Sequence, residues 1–282
     1  MMKTVAIIAP SAMGAAVASV LTAHRVEVLT LLTGRSSASA ARPRQAKMTA
    51  VNADELMKAE AIFSIVPPAN AMTLATELAP LLARSRTKPL YVDCNAVSAR
   101  QVGKIHAVID ASGAGFVDGA IIGLPPSDAQ EKGPRFWFAG DDAPKLSWLS
   151  DAGLRVKIMA AEVGAASALK MSYAGINKGI TLLSTLMLIN ASRAGAAEAL
   201  WQEMTDSQPA LMDRLRQAIP DMYSKAWRWA PEMQEIASLN QGELPGDVVY
   251  HALAQLCRQL ADNQQHQDDY RRLLNNFLQR KE

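Results

Sequence analysis

Residues 3–32, KTVAIIAPSAMGAAVASVLTAHRVEVLTLL, decide the fold. Thr4 to Ile8 is a short β-rich piece, Ala9 to Ser11 a turn, and Met13 to Ala23 an alanine-rich helix. Arg25-Val-Glu-Val-Leu-Thr-Leu-Leu32 then reads as a second strand, which Gly34-Arg-Ser-Ser breaks. Strand, turn, helix and strand in that order open a βαβ unit. The same beginning, with an early lysine, an apolar run and small residues after it, also spells a secretory signal. That reading loses because the run divides into a strand and a helix and a second strand follows at once. The N-terminus is expected to belong to the fold.

The alternation continues outward from this unit. Met48 to Val51, Ala61 to Pro68 and Leu90 to Asp93 read as strands, with helices over Ala53 to Ala59, over Ala69 to Leu82, and after Ser98, whose Ser98-Ala-Arg-Gln101 spells a capping box. Gly115 to Ile122, Arg135 to Ala139 and Leu154 to Ile158 are further strands. The fold class is α/β: a doubly wound, Rossmann-type, mostly parallel sheet over residues 1–160. From Glu162 the strand signals stop. Residues 161–282 form a smaller all-helical domain, with breaks expected near Pro209, Pro220, Pro231 and Gly242 to Gly246. In its terminal stretch Tyr270, Leu273, Leu274, Phe277 and Leu278 make a thin apolar stripe, expected to pack on its own domain, with a dimer contact as the alternative.

Composition narrows the function. The 282 residues are 49% hydrophobic and 20% charged, enough for a sizeable core, and the formal net charge of +2 gives no reason to expect nucleic acid or a membrane as partner. Two cysteines, Cys94 and Cys257, make no disulfide framework, and with four histidines they make no metal spacing, so no metal is expected. A reduced, cytoplasmic protein fits this usage.

In a βαβ unit a ligand sits beyond the carboxyl ends of the strands, and glycines in the first turn let backbone approach a pyrophosphate at the helix N-terminus. Here the turn is Ala9-Pro10-Ser11-Ala12-Met13-Gly14, which keeps only the last glycine. Alanine and serine are the smallest replacements, and serine adds a hydroxyl, so these six residues remain the candidate dinucleotide turn. After the second strand stand Arg35 and Ser36, with Arg42 and Arg44 close behind and no carboxylate among them. Arginine and serine suit the 2′-phosphate of NADP, where an acid would select the ribose hydroxyls of NAD. NADP(H) is the expected cofactor.

Glu162 to Asn190, EVGAASALKMSYAGINKGITLLSTLMLIN, is too apolar and too long to be anything but a buried helix, yet it carries Lys170 and Lys178. At helical spacing Tyr173 and Asn177 share the face of Lys170, a strip of amine, phenol and amide suited to proton transfer. Lys178 lies roughly on the same side and could meet an anionic substrate group. Arg228 could reach a substrate, but Glu232 at i+4 offers it an ordinary surface pair.

The order of these pieces resembles the β-hydroxyacid dehydrogenase family, which includes hydroxyisobutyrate dehydrogenase and the nucleotide domain of phosphogluconate dehydrogenase, and within it a branch with a distinctive all-helical C-terminal domain. The carriers are Ile7 to Gly14, Val66-Pro-Pro68, Asp93-Cys-Asn-Ala-Val-Ser98, Asp118-Gly-Ala-Ile-Ile-Gly123, Gly164-Ala-Ala-Ser-Ala-Leu-Lys170, and the helix Ala226 to Glu235. The resemblance implies that Lys170 is the catalytic acid/base, and that Val66, Pro67 and Pro68 line the nicotinamide ribose. It also implies that Asn95 to Ser98 approach the nicotinamide and a substrate carboxylate. The residues themselves leave a structural role open for Asn95, which could cap a strand end, and for Ser98, which could cap a helix.

Three departures from the family qualify the substrate. Ala174 replaces an asparagine one turn after the lysine, the substrate loop is the less polar Ile122-Gly123-Leu124-Pro125, and the pyrophosphate turn is poor in glycine. The expected activity is hydride transfer between nicotinamide and a small carbonyl or hydroxy compound, carboxylated or more apolar than the family's simple hydroxy acids, with Ile122 and Gly123 at the substrate. Alternatives are an imine reductase-like enzyme and a non-catalytic NADP-binding or sensor protein. The long apolar helix makes a homodimer the expected assembly.

Overall fold

The computed structural model describes residues 2–8, 11–31, 43–126, 133–239, 242, 245–262 and 269–280. Ala9, Pro10, Arg35, Ser36 and Arg42 lie outside them. The chain separates into two compact units, Met1–Lys170 and Met171–Glu282. The division falls after Lys170, where the sequence places it after Ala160.

In the first unit β1 (Thr4–Ile8) leads into α1 (Ala12–Ala23), which Ser11 caps by accepting the Gly14 N–H at 3.1 Å. Gly14, Val17, Ala18 and Leu21 are its buried residues, the i, i+3, i+4, i+7 stripe of a helix lying on a sheet. There follow β2 (Glu27–Thr30), β3 (Thr49–Ala50), α2 (Ala53–Leu56), β4 (Ala61–Ser64), α3 (Ala71–Arg84), β5 (Leu90–Asp93), α4 (Ala99–Asp110), β6 (Phe116–Ile122), β7 (Arg135–Ala139) and β8 (Arg155–Ile158). The strand expected over 61–68 ends at Ser64, because Pro67 and Pro68 withdraw their amides from the ladder and open a 3-10 turn.

The sheet order is β3-β2-β1-β4-β5-β6-β7-β8. All neighbouring pairs are parallel except β6 with β7. This is the doubly wound plan, with the order reversing between β1 and β4. Alternate residues feed two cores. Val5, Ile7, Phe63, Val92 and Phe138 join Val17 and Leu21 of α1 on one face. Ala6, Ile8, Ile62, Tyr91 and Phe116 join Leu78, Leu82, Val102 and Ile105 of α3 and α4 on the other. Burial on both faces explains why these strands read as continuous apolar runs.

The second unit takes up most of α5 (Ala165–Arg193), then α6 (Ala197–Ser207), α7 (Pro209–Tyr223), α8 (Ala226–Leu239), α9 (Gly246–Asp262) and α10 (Asp269–Leu278). Pro209 opens α7, where a missing amide costs nothing. Pro220 and Pro231 were expected to break the chain, yet they lie inside α7 and α8. Pro220 stands in the last turn, and the burial of Met233, Ile236 and Ala237 beyond Pro231 holds α8 together across the lost bond. Leu274, Phe277 and Leu278 of α10 are buried, so the terminal stripe packs within the chain.

The expectation of a wholly buried α5 is corrected. Met171, Leu182, Leu188 and Ile189 are buried, but Tyr173 (53% exposed), Ile176 (60%), Leu183 (49%) and Met187 (52%) are open on the chain. The helix carries apolar side chains around more of its circumference than its own chain covers. Among the described residues no helix is long and apolar enough to cross a membrane.

Candidate active site

Three strands of the first unit end at one edge of the sheet, and their last residues, with Asp118 of β6 beside them, define the site. In register, Ile8 of β1 stands beside Ser64 of β4, Ser64 beside Asp93 of β5, and Asp93 beside Asp118 of β6. Partners in a parallel ladder point to the same face, so Ser64, Asp93 and Asp118 form a polar row at the carboxyl end of an otherwise apolar sheet. All three are fully buried.

Asn95 ties this row together. Its backbone N–H donates to Asp93 Oδ1 at 3.0 Å, and its side-chain Nδ2 donates to Asp93 Oδ2 at 3.0 Å and to Ser64 Oγ at 2.8 Å. Its Oδ1 accepts the Val66 N–H at 2.8 Å. Both donors and the acceptor of the amide are therefore occupied. Asn95 is a strut across the ends of β4 and β5, which agrees with a strand-capping role. Ser98 is likewise buried and accepts the Gln101 N–H at 3.4 Å as the N-cap of α4.

Above the row lies a cavity of about 280 Å³ lined by Ser11, Met13, Ile65, Val66, Pro67, Pro68, Cys94, Asn95, Ala96, Ile121 and Lys170. Apart from Lys170 its walls are neutral. Lys170 reaches it from the first turns of α5, its Nζ making a long contact of 3.4 Å with the carbonyl oxygen of Cys94. Burial pushes the Lys170 ammonium below the ordinary lysine range, with the Asp93 and Asp118 carboxylates opposing the shift. Asp93 responds in the opposite sense: burial raises it to about 6, against the hydrogen bonds from Asn95, while Asp118 adds to the rise and Lys170 opposes it. Burial also drives the Cys94 thiol upward, so it is a neutral wall residue and no nucleophile at neutral pH.

Of the residues singled out in the sequence, Ser11, Met13, Val66, Pro67, Pro68, Asn95 and Lys170 thus meet around one cavity. Ile122 ends β6 just beyond Ile121, and Gly123 follows it in a bend. Gly123 adopts φ of +129°, and a Cβ there would come within 3.0 Å of Pro134 Cα, which explains the glycine. Ala96 falls within the Asn95 to Ser98 span expected at the nicotinamide, whereas Ile65, Cys94 and Ile121 were not anticipated as lining; the signal available was their position at the strand ends of the parallel ladder.

Tyr173, Asn177 and Lys178 follow on α5 in the helical unit, where their partners are local. Asn177 donates to the Tyr173 carbonyl at 2.7 Å and accepts Arg214 Nη2 at 2.7 Å. Lys178 forms an ion pair with Glu232 and lies 5.1 Å from the centroid of the Trp229 ring. Glu232 was expected to partner Arg228. Packing of α5 near α8 supplies a more enclosed cation instead, the two carboxylate and ammonium side chains being 28% and 19% exposed.

With this geometry in hand the comparisons with known proteins are informative. Residues 4–144 match the model for the NAD binding domain of 6-phosphogluconate dehydrogenase. The chain belongs to that family. It is accordingly an oxidoreductase-type chain with a nicotinamide-dinucleotide domain, followed at residues 191–260 by a match to a domain of unknown function (DUF1932). An uncharacterised 28.5 kDa protein of Methanothermus fervidus is 27% identical over 186 residues, 65% of this chain and 69% of that protein. The conserved protein MTH1747, described as structurally similar to 3-hydroxyacid dehydrogenases, is 25% identical with a TM-score of 0.76, over 93% of this chain and 98% of its own. The 3-hydroxyisobutyrate dehydrogenase of Mycobacterium tuberculosis shares the fold, with a TM-score of 0.74 at 14% identity over 98% and 99% of the two chains.

The described residues fit the cofactor that the family implies. The N-terminus of α1 faces the point where strand order reverses, and the cavity beside it has mostly apolar, uncharged walls and one amine, that of Lys170. Ser11 Oγ accepts the Gly14 N–H, which leaves its own hydroxyl hydrogen available to a phosphate.

Proposed function

We propose that this chain is an NADP(H)-dependent oxidoreductase acting on a small carbonyl or hydroxy compound, with Lys170 as its acid/base. The observation that carries the reading is the single amine of Lys170 in a neutral-walled cavity shared with Val66, Pro67, Pro68, Ser11 and Met13. A nicotinamide bound there supplies or accepts the hydride. Reduction of a carbonyl leaves an alkoxide that needs a proton, and an ammonium whose pKa is lowered by burial gives one up readily. The Ile65, Ile121 and proline walls give the cavity an apolar lining, and the Asn95 strut holds the Val66 turn in place.

Tyr173 and Asn177 complete the proton-handling strip in this reading, and Ser98, Ile122, Gly123 and Lys178 are the substrate-side candidates. Retention of lysine favours carbonyl over imine chemistry. The choice of NADP(H) rests on Arg35 and Ser36 with no neighbouring acid. The neutral cavity and the apolar Ile122–Pro125 segment admit a carboxylated substrate with a larger apolar part.

A homodimer follows from α5. Tyr173, Ile176, Ile180, Leu183 and Met187 recur at alternating spacings of three and four, the seam by which helices pair, and this seam carries no charge. A second copy of the chain covers it in this proposal. Two buried free thiols, Cys94 and Cys257, fit a reducing compartment such as the cytoplasm.

The test is a titration with NADPH and NADH, followed by a panel of carbonyl and imine substrates. NADPH is expected to bind more tightly, Arg35→Ala to remove that preference, and Lys170→Ala to abolish turnover with NADPH affinity retained. Equal binding of both nucleotides overturns the NADP assignment, and undiminished turnover in Lys170→Ala removes lysine from the mechanism. Binding without turnover across the whole panel favours the sensor reading.

A further inference from the structure

Asp118 is fully buried in β6, where it accepts hydrogen bonds from the start of α5. Its Oδ2 accepts the N–H groups of Gly164 at 2.9 Å and Ser167 at 3.0 Å, and its Oδ1 accepts the Ser167 hydroxyl at 2.6 Å. The first amides of a helix have no acceptor within it. Here a strand residue 46 to 49 positions earlier supplies one, and its negative charge faces the positive end of the helix dipole. Gly164 permits the approach by taking φ of +105°, where a Cβ would also touch Ala99 Cβ at 3.4 Å.

Ser167 and Lys170 are three residues apart, one turn along the same face of α5. Lys170 is also the last residue of the sheet unit. The lysine is therefore fixed at two places within that unit: through Ser167 to Asp118 of β6, and through its own Nζ to Cys94 after β5. Asp118 stands in register with Asp93 on the neighbouring strand, so both buried carboxylates lie on the Lys170 side of the sheet edge.

We propose that Asp118 and Ser167 form a latch that positions Lys170, binding the first turn of α5 to β6 so that the lysine is a fixed part of the cofactor-binding unit. This rests on the reading of Lys170 as the acid/base. Both are positioning residues, since they act through the helix and touch neither cofactor nor substrate in this account. Asp118 has a second effect through its charge, which opposes the lowering of the Lys170 ammonium by burial.

The latch is tested with Ser167→Ala, Ser167→Thr and Asp118→Asn beside Lys170→Ala. Misplacing a reacting group by about 1 Å costs on the order of 100-fold in rate, so Ser167→Ala is expected to lower kcat by roughly 10- to 100-fold with NADPH affinity unchanged. Ser167→Thr, which keeps the hydroxyl, should recover most of that loss. Asp118→Asn should move the alkaline limb of the reduction rate to lower pH, which loss of a merely structural contact does not do. Independently of turnover, hydrogen exchange in the cofactor-free protein should speed up at residues 164–170 in Ser167→Ala while β4, β5 and β6 keep their protection. Wild-type exchange and kcat in Ser167→Ala, or faster exchange spread evenly over the sheet unit, overturn the latch. If Lys170→Ala proves fully active, the acid/base reading fails on its own, and the exchange measurement still decides whether Asp118 and Ser167 hold the helix.

Discussion

The side-chain carbonyl of Asn95 accepts the backbone N–H of Val66 at 2.8 Å, and that bond joins the end of β5 to the turn that lines the cavity. The other end of the same amide is anchored on Asp93 and Ser64. Asn95→Ala removes the strut and leaves Asp93 Oδ2 and the Val66 N–H without their side-chain partner, while the backbone N–H of residue 95 still serves Asp93 Oδ1. An unfolding free energy lower by about 3 kcal/mol is expected in urea titration, from two unsatisfied buried groups. Because Val66 to Pro68 would lose their fixed position, the affinity for NADPH should fall by about tenfold, or about 1.4 kcal/mol. Unchanged affinity alongside lost stability would show that the strut serves the fold alone.

Lys178 and Glu232 make a partly enclosed ion pair in the helical unit. Removing one member of such a pair leaves the other charge poorly solvated, whereas removing both loses little. Lys178→Met and Glu232→Gln should each destabilise the protein by about 2 kcal/mol, and the double variant by less than the sum. The same variants separate a packing role from a substrate role. If Lys178 meets an anionic substrate group, Lys178→Met raises KM and Glu232→Gln does not; if it serves packing, neither changes KM.

The sheet edge was readable because its evidence is local. Each strand is a short apolar run closed by a turn residue, and Ser11 and Ser98 each announce a helix that begins at the next residue. The lysine strip on α5 was also local, since helical spacing alone aligns residues 170, 173 and 177. What could not be read was pairing across the chain. Asp118 meets Ser167 49 positions later, and Asn95 meets Ser64 31 positions earlier, through strand order and register that no single segment encodes. Glu232 shows the same limit: the i+4 rule offers Arg228, and tertiary packing supplies Lys178. Pro220 and Pro231 read as breaks for a related reason, because propensity is overruled where a helix buries enough of one face.

Gly119 lies in β6 where a side chain has no room. A Cβ there would stand 2.7 Å from Cys94 Sγ, 3.0 Å from the Asp93 carbonyl oxygen and 3.2 Å from Phe138. Gly119→Ala should push β5 and β6 apart and cost about 3 kcal/mol by overpacking, read as a lower urea midpoint. Cys94→Ala removes the nearest of the three contacts, so the double variant should recover part of the loss, a coupling that distant sites do not show. Additive effects would place the clash on the backbone oxygen instead of the thiol.

Asp93 makes stability depend on pH in a direction opposite to most paired carboxylates. Burial raises its pKa from 3.8 to about 6, so the native protein holds this proton more tightly than the unfolded chain does. Its contribution is favourable below about pH 4, where both states are protonated, and is lost as pH rises through about 6. The interval of about two pKa units corresponds to about 3 kcal/mol. Asparagine cannot ionise, so Asp93→Asn lacks this slope even though it mismatches one donor of Asn95. Urea unfolding of both proteins between pH 4 and 8 should therefore show the variant gaining on the wild type as pH rises from 4 to 6, then a constant difference above about 7. A difference that is flat across the range would mean that Asp93 ionises in the native state as easily as in the unfolded one, with Lys170 and the Asn95 donors fully offsetting its burial.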